Sequence, residues 1–191
     1  QNPFVIGMIA GRKDIDFREG DSEALPFEAA SFDVVLSTCG HMFAPDQAKV
    51  VAELARVTRP GGRVVFVAWD PEGGLGGWFR IINKYAPPPS GVPTPFNWSQ
   101  PEKVKDLLGN AFTDVSFLRG DCPEFGASPE AVWDLWSTRY EPTIRALGML
   151  EGEKREAFAK EMLEFLKGYQ AADGKVRWGR EYMITRAVRA T

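Results

Sequence analysis

The feature that most constrains this chain is a strand–helix–strand unit between Ser31 and Trp69. "SFDVVLS" (Ser31 to Ser37) is a continuous β-branched run, of the sort buried on both faces of a parallel sheet. Val50, Val51, Leu54, Ala55 and Val57 then recur at helical spacing from Pro45 onward. "RPGG" (Arg59 to Gly62) ends that helix and turns the chain, and "RVVFVAW" (Arg63 to Trp69) reads as the next buried strand. Strand, helix and strand with short joints form a right-handed crossover unit, so this half is α/β. Upstream, "FVIGMI" (Phe4 to Ile9) fits a short buried strand or a helical turn. Ile15 to Glu19 reads as a second short strand, closed by Gly20-Asp21.

The second half mixes helices with late strands. "GGLGGW" (Gly73 to Trp78) starts a helix that runs into the stiff, Pro-rich connector Tyr85 to Pro95. "SQPEKVKDLLG" (Ser99 to Gly109) has a Ser cap, a Pro in the first turn and a Gly stop. "FTDVSFLRG" (Phe112 to Gly120) alternates as a strand does. "SPEAVWDLWSTRY" (Ser128 to Tyr140) is a capped helix with Trp133, Trp136 and Tyr140 on one side. A long helical stripe follows from Glu151 to about Ala171, and "REYMITRAV" (Arg180 to Val188) closes as a strand.

With 191 residues, a single domain is expected. The net charge of −3, without a Lys/Arg cluster, argues against nucleic-acid binding. No apolar run approaches the roughly 20 residues of a membrane span, so no membrane association is expected. Cys39 and Cys122 stand far apart, as reduced thiols of a cytoplasmic protein would. A single histidine, His41, excludes a His-rich metal site and disfavours a Ser-His-Asp hydrolase.

Four segments in order carry a resemblance: "GDSEALPF" (Gly20 to Phe27), "SFDVVLS", "MFAPDQ" (Met42 to Gln47) and "ELARVTRPGGRVVFVAW" (Glu53 to Trp69). Together they resemble class I S-adenosylmethionine-dependent methyltransferases, in the ubiquinone/menaquinone-biosynthesis branch. "FNWSQPEKVKDLLGNAF", "SPEAVWDLW" and "EYMITRAVR" extend the likeness to Arg189. The resemblance implies an α/β, Rossmann-like methyltransferase sheet, mostly parallel with antiparallel C-terminal strands and flanked by helices. Residues 1–70 would form a partial cofactor half and 71–191 the rest, with a helical lid over about 121–172. It also implies S-adenosylmethionine as cofactor. Asp21, Ser22 and Glu23 would lie at its adenine, and Ser37, Thr38 and Cys39 at its methionine part, because such sheets bind ligands at strand carboxyl ends. His41 is a weak candidate for a base. Trp78, Phe79, Trp133, Trp136 and Tyr140 are candidates for the acceptor pocket, or for core and lid packing.

The family's first strand ends in a glycine-rich loop and its second in a ribose-binding acid. Aligned as the first strand, "IGMIAG" keeps Gly7 and Gly11 but has Ile9 where a middle glycine belongs. Aligned as the second, the same Ile9 replaces the acid. Only Ala10 to Asp14 separate Ile9 from Ile15, too few for a parallel crossover. Without the family's first strand, "DVVLS" becomes an apolar edge. Three arrangements stay open: further chain between the front strand and Asp16, a truncated chain that dimerises or swaps segments, or Phe4 to Ile9 as a replacement strand. Two functions follow. One is methyl transfer to a small-molecule acceptor; the other is a non-catalytic, homodimeric binding or regulatory module.

Overall fold

The computed structural model describes residue 16 and residues 18–191. The front segment Phe4 to Ile9, with Gly7, Ile9, Gly11, Ile15 and Phe17, lies outside the described residues. Asp16, Arg18 and Glu19 join no strand, so the described part of the expected second strand is not one.

The crossover unit forms as its hydrophobic pattern dictates. β1 (Phe32–Thr38) leads through a 3₁₀ turn (His41–Phe43) into α1 (Gln47–Val57), and the chain returns as β2 (Thr58–Trp69), parallel to β1. Asp46 caps α1 by accepting the Lys49 backbone N–H at 3.0 Å. Val50, Val51, Leu54 and Val57 are its buried stripe. "RPGG" is not the clean turn its composition suggests. β2 begins at Thr58, opposite Phe32, and the ladder resumes at Val34 opposite Arg63, so Arg59–Gly62 bulge out between the two points. Gly61 takes φ +75° there, where a side chain would be strained.

Next come α2 (Gly74–Tyr85), a 3₁₀ turn (Pro95–Ser99), α3 (Pro101–Leu108), another 3₁₀ turn (Gly109–Ala111) and β3 (Phe112–Asp121). Gln100, not Ser99, stands at the start of α3; the Ser99 hydroxyl instead donates back to the Phe96 carbonyl at 3.0 Å. The short β4 (Glu124–Gly126) precedes α4 (Pro129–Arg139), α5 (Glu141–Gly148) and α6 (Gly152–Lys167). Ser128 caps α4, its hydroxyl accepting the Ala131 N–H at 3.2 Å. β5 (Val176–Trp178) pairs with β4, and β6 (Glu181–Arg189) ends the fold.

The main sheet has the order β1-β2-β6-β3. β6 runs antiparallel to both β2 and β3, so β1, β2 and β3 share one direction and end at the same edge. The expected α/β sheet, mostly co-directed with an antiparallel C-terminal strand, is therefore present.

Two hydrophobic clusters hold the molecule together. Val64, Phe66 and Ala68 of β2 and Ala187 of β6 pack against α1 and α3, with Trp98 wholly buried beneath them. The second cluster lies in the helical layer, where α2, α4, α5 and α6 surround Trp78, Trp136, Trp178 and Phe158. Trp78 lies 5.2 Å, ring to ring, from both Trp136 and Trp178, and donates its indole N–H to Thr143 at 3.0 Å. α2 enters this layer through glycines: a Cβ on Gly76 would collide with the Pro71 carbonyl.

The apolar edge foreseen for a chain without the family's first strand is what the described residues show. "DVVLS" is not buried on both faces among the described residues. β1 is an edge strand there, and Leu36 is 71% and Val34 41% exposed, because α1 and α3 cover only the opposite face.

Candidate functional site

β1 ends at a loop, and that loop meets the turn formed by Gly20-Asp21. Asp21 accepts the Glu23 N–H at 2.9 Å, and its carbonyl accepts the Ala24 N–H at 3.0 Å, which closes a tight Asx-type turn. Glu23 braces this turn to the start of α1. Its carboxylate accepts the Asp46 N–H at 2.8 Å and lies 3.7 Å from the Lys49 ammonium. Leu25 is held too, its N–H donating to Glu53, which also pairs with Arg56 at 2.7 Å. Arg56 donates in turn to the carbonyls of Phe27 and Leu25.

Between the braced turn and the β1–α1 loop opens a cleft of about 680 Å³, lined by Glu19 to Glu23, Gly40, Phe43, Ala44 and Pro45. Phe43 is 52% exposed and supplies an apolar wall. Asp21 is exposed, and its second carboxylate oxygen makes no hydrogen bond among the described residues. A flat wall beside a free carboxylate oxygen suits a planar heterocycle that carries an amino group.

The sequence candidates divide. Asp21, Ser22 and Glu23 line this cleft, with Glu23 already committed to Asp46 and Lys49. Ser37, Thr38 and Cys39 are not among its lining residues. Ser37 turns its hydroxyl to His41 Nδ1 at 2.9 Å, and Thr38 is exposed. Cys39 takes φ +59° and donates its N–H to the Val67 carbonyl at 3.0 Å. Burial pushes its thiol up to about 11.

His41 does not sit in an open loop as its surroundings in sequence suggest. It is 3% exposed, its ring 4.8 Å from Phe66 and 4.6 Å from Trp98, and its Nε2 has no hydrogen-bond partner among the described residues. Burial lowers it to about 4, so it is a neutral core residue near pH 7.

Among the aromatic candidates, Trp78 and Trp136 are core residues of the helical layer, at 0% and 6% exposure. Phe79, Trp133 and Tyr140 are half-buried. Tyr140 packs 4.3 Å from the Trp136 ring, and burial, with Cys39 close by, pushes its hydroxyl up to about 12. Sequence reasoning missed Phe43 and Gly40 at the cleft. The signal lay in "MFAPD", where an apolar residue sits in the exit loop of a strand.

The strand order and the single reversed strand are those of a Rossmann-like methyltransferase fold, with a cleft at the carboxyl end of β1. Residues 7–66 match the family described as "Methyltransferase domain". An uncharacterised protein of Mycobacterium tuberculosis is 36% identical over 177 residues, covering 90% of this chain and 63% of the relative. The chain thus spans less than two thirds of that relative's length. The demethylmenaquinone methyltransferase of Lactococcus lactis is 48% identical over 56 residues, 29% of this chain and 22% of that protein. Two solved structures share the fold. The YcgJ protein of Bacillus subtilis superimposes with a TM-score of 0.55 at 16% identity, over 98% of this chain and 78% of that one. A SAM-dependent methyltransferase of Thermotoga maritima gives a TM-score of 0.52 at 15% identity, over 97% and 69%. The family match, the relatives and the shared fold together make the chain similar to the class I S-adenosylmethionine-dependent methyltransferases. No helix among the described residues is long and apolar enough to cross a membrane.

Proposed function

We propose that this domain takes part in methyl transfer from S-adenosylmethionine to a small-molecule acceptor. The observation that carries the reading is the cleft between the Gly20–Glu23 turn and the β1–α1 loop, with Phe43 as its wall and an Asp21 oxygen that is unbonded among the described residues. When bound, the cofactor supplies a methyl group on a sulfonium, a leaving group that needs no acid to help it depart. Asp21 would accept from the adenine amino group, and Phe43 would cover one ring face. Glu23, Asp46 and Lys49 hold the turn in place, so Asp21 is positioned before any ligand arrives. The acceptor would lie at the same edge of the sheet, against Tyr140, Phe79 and Trp69. The protein's part is to exclude water and align the acceptor with the methyl group.

Isothermal titration with S-adenosylhomocysteine tests the reading. Saturable binding that weakens at least tenfold in Asp21→Ala supports it. No binding at millimolar concentration overturns it for this chain.

A second reading, a non-catalytic module that acts as a homodimer, rests on a separate observation. Leu36 and Val34 are exposed on a strand that has no neighbour on one side among the described residues, where a second copy would find an apolar row. Sedimentation velocity distinguishes the two, since a monomer at tens of micromolar contradicts the dimeric module.

A further inference from the structure

A second group of partly buried side chains gathers at the carboxyl edge of the sheet, on its helical side. Arg180 precedes β6 at the point where the three co-directed strands end. The next residue, Glu181, accepts the Asp70 N–H at 2.9 Å, just beyond β2. The Arg180 carbonyl accepts the Cys122 N–H at 3.2 Å, just beyond β3. The guanidinium lies over Trp69 and Trp136, 5.9 Å from each ring centre. Its Nε donates to the Cys122 carbonyl at 2.9 Å, and one outer nitrogen lies 3.3 Å from Glu124. Among the described residues the other outer nitrogen has only the Cys122 sulfur, at 3.6 Å. Tyr140, between α4 and α5, reaches the same place: its ring packs 4.3 Å from that of Trp136, over which Arg180 lies, and its hydroxyl makes no hydrogen bond among the described residues.

Four carboxylates near this point each hold a backbone N–H or an arginine. Asp70 accepts the Glu72 N–H and lies 3.6 Å from Arg119. Asp121 accepts the Arg180 N–H and pairs with Arg177 at 2.9 Å. Glu181 accepts the Gly74 N–H, and Glu124 faces Arg180. A cationic amine arriving here would meet a guanidinium that repels it. An anionic group would find a guanidinium nitrogen that, among the described residues, has only a thiol as partner, beside a phenol with none.

We propose that Arg180, assisted by Tyr140, reads an anionic group on a planar acceptor, a carboxylate or phenolate whose ring lies against Trp69 and Phe79. The proposal takes from the methyl-transfer reading only that this edge receives the acceptor. It makes Arg180 a specificity-determining residue that excludes ammonium acceptors.

The test uses three probes of one shape and different charge: benzoate, benzamide and benzylamine, titrated into the full chain by ligand-observed NMR. Benzoate is expected to bind at least tenfold more tightly than benzamide, benzylamine is not expected to saturate, and added salt should weaken benzoate alone. Arg180→Gln should remove the preference for benzoate, Arg180→Lys should keep part of it, and Tyr140→Phe should weaken benzoate by a few-fold. Should Arg180→Gln fail to fold, the wild-type ranking still decides. Equal affinity for benzoate and benzamide, or preference for benzylamine, overturns the proposal. S-adenosylhomocysteine binding in the same samples separates the two readings. Cofactor binding without the benzoate preference defeats the charge assignment alone, and the converse defeats the methyl-transfer reading alone.

Discussion

Lowering the pH should unfold this protein partly through one residue, His41. The imidazole is 3% exposed, its Nε2 lacks a partner among the described residues, and burial holds it at about 4 against an ordinary 6.5. Above pH 6.5 the ring is neutral in both folded and unfolded chains and contributes no pH dependence. Between 6.5 and about 4 the unfolded chain binds a proton that the folded chain refuses, so stability falls as the pH falls. Below about 4 both states are protonated and the loss is complete. At about 1.4 kcal/mol per pH unit, the gap corresponds to roughly 3 kcal/mol. That is a large share of the roughly 5–15 kcal/mol that keeps a domain folded. Urea unfolding of wild type and His41→Leu, followed by tryptophan fluorescence at pH 7 and pH 4.5, isolates the effect from other titrating groups. At pH 7 the variant should be the less stable by about 1 kcal/mol, having lost the Ser37 hydrogen bond. At pH 4.5 the order should reverse, the difference having moved by roughly 2–3 kcal/mol. A difference that stays constant across that interval would refute the buried, neutral histidine.

Three further outcomes are expected. With its thiol pushed up to about 11, Cys39 should be only about one-thousandth ionised at pH 8, so iodoacetamide should label the exposed Cys122 first by a wide margin, read by peptide mass spectrometry. Gly76→Ala forces a methyl group onto the Pro71 carbonyl and should lower the melting temperature by several degrees, by about 1–3 kcal/mol of overpacking. Ser128→Ala removes the cap of α4 and should cost about 1 kcal/mol in urea unfolding without changing the m-value.

The crossover unit was legible because its hydrophobic periods are unmixed: β-branched residues in β1 and β2, a 3.6-residue stripe in α1. Composition misled where local and tertiary demands differ. "RPGG" carries every turn signal, yet the ladder restarts on its far side, since Thr58 already pairs with Phe32. Ser99 is a good cap by residue type, but the preceding 3₁₀ turn draws its hydroxyl back to Phe96. The burial expected for Val34 and Leu36 followed from their type; their exposure follows from where the described helices lie, which no local pattern encodes. Strands of three residues, β4 and β5, are too short for any period to show. The Gly20–Glu23 turn could be placed from its motif, whereas Phe43 and Arg180 gain their meaning only from neighbours distant in the chain. Arg180 lies 111 residues beyond Trp69, a separation that sequence spacing cannot interpret.

The central claim is that the turn at Asp21 and the loop at Phe43 form the two walls of a nucleoside site. Amide chemical-shift mapping on the isotope-labelled chain, titrated with S-adenosylhomocysteine, addresses it most directly. The account predicts saturable shifts concentrated in Gly20–Glu23 and Gly40–Ala44. Shifts that cluster elsewhere, or none at millimolar ligand, would contradict it.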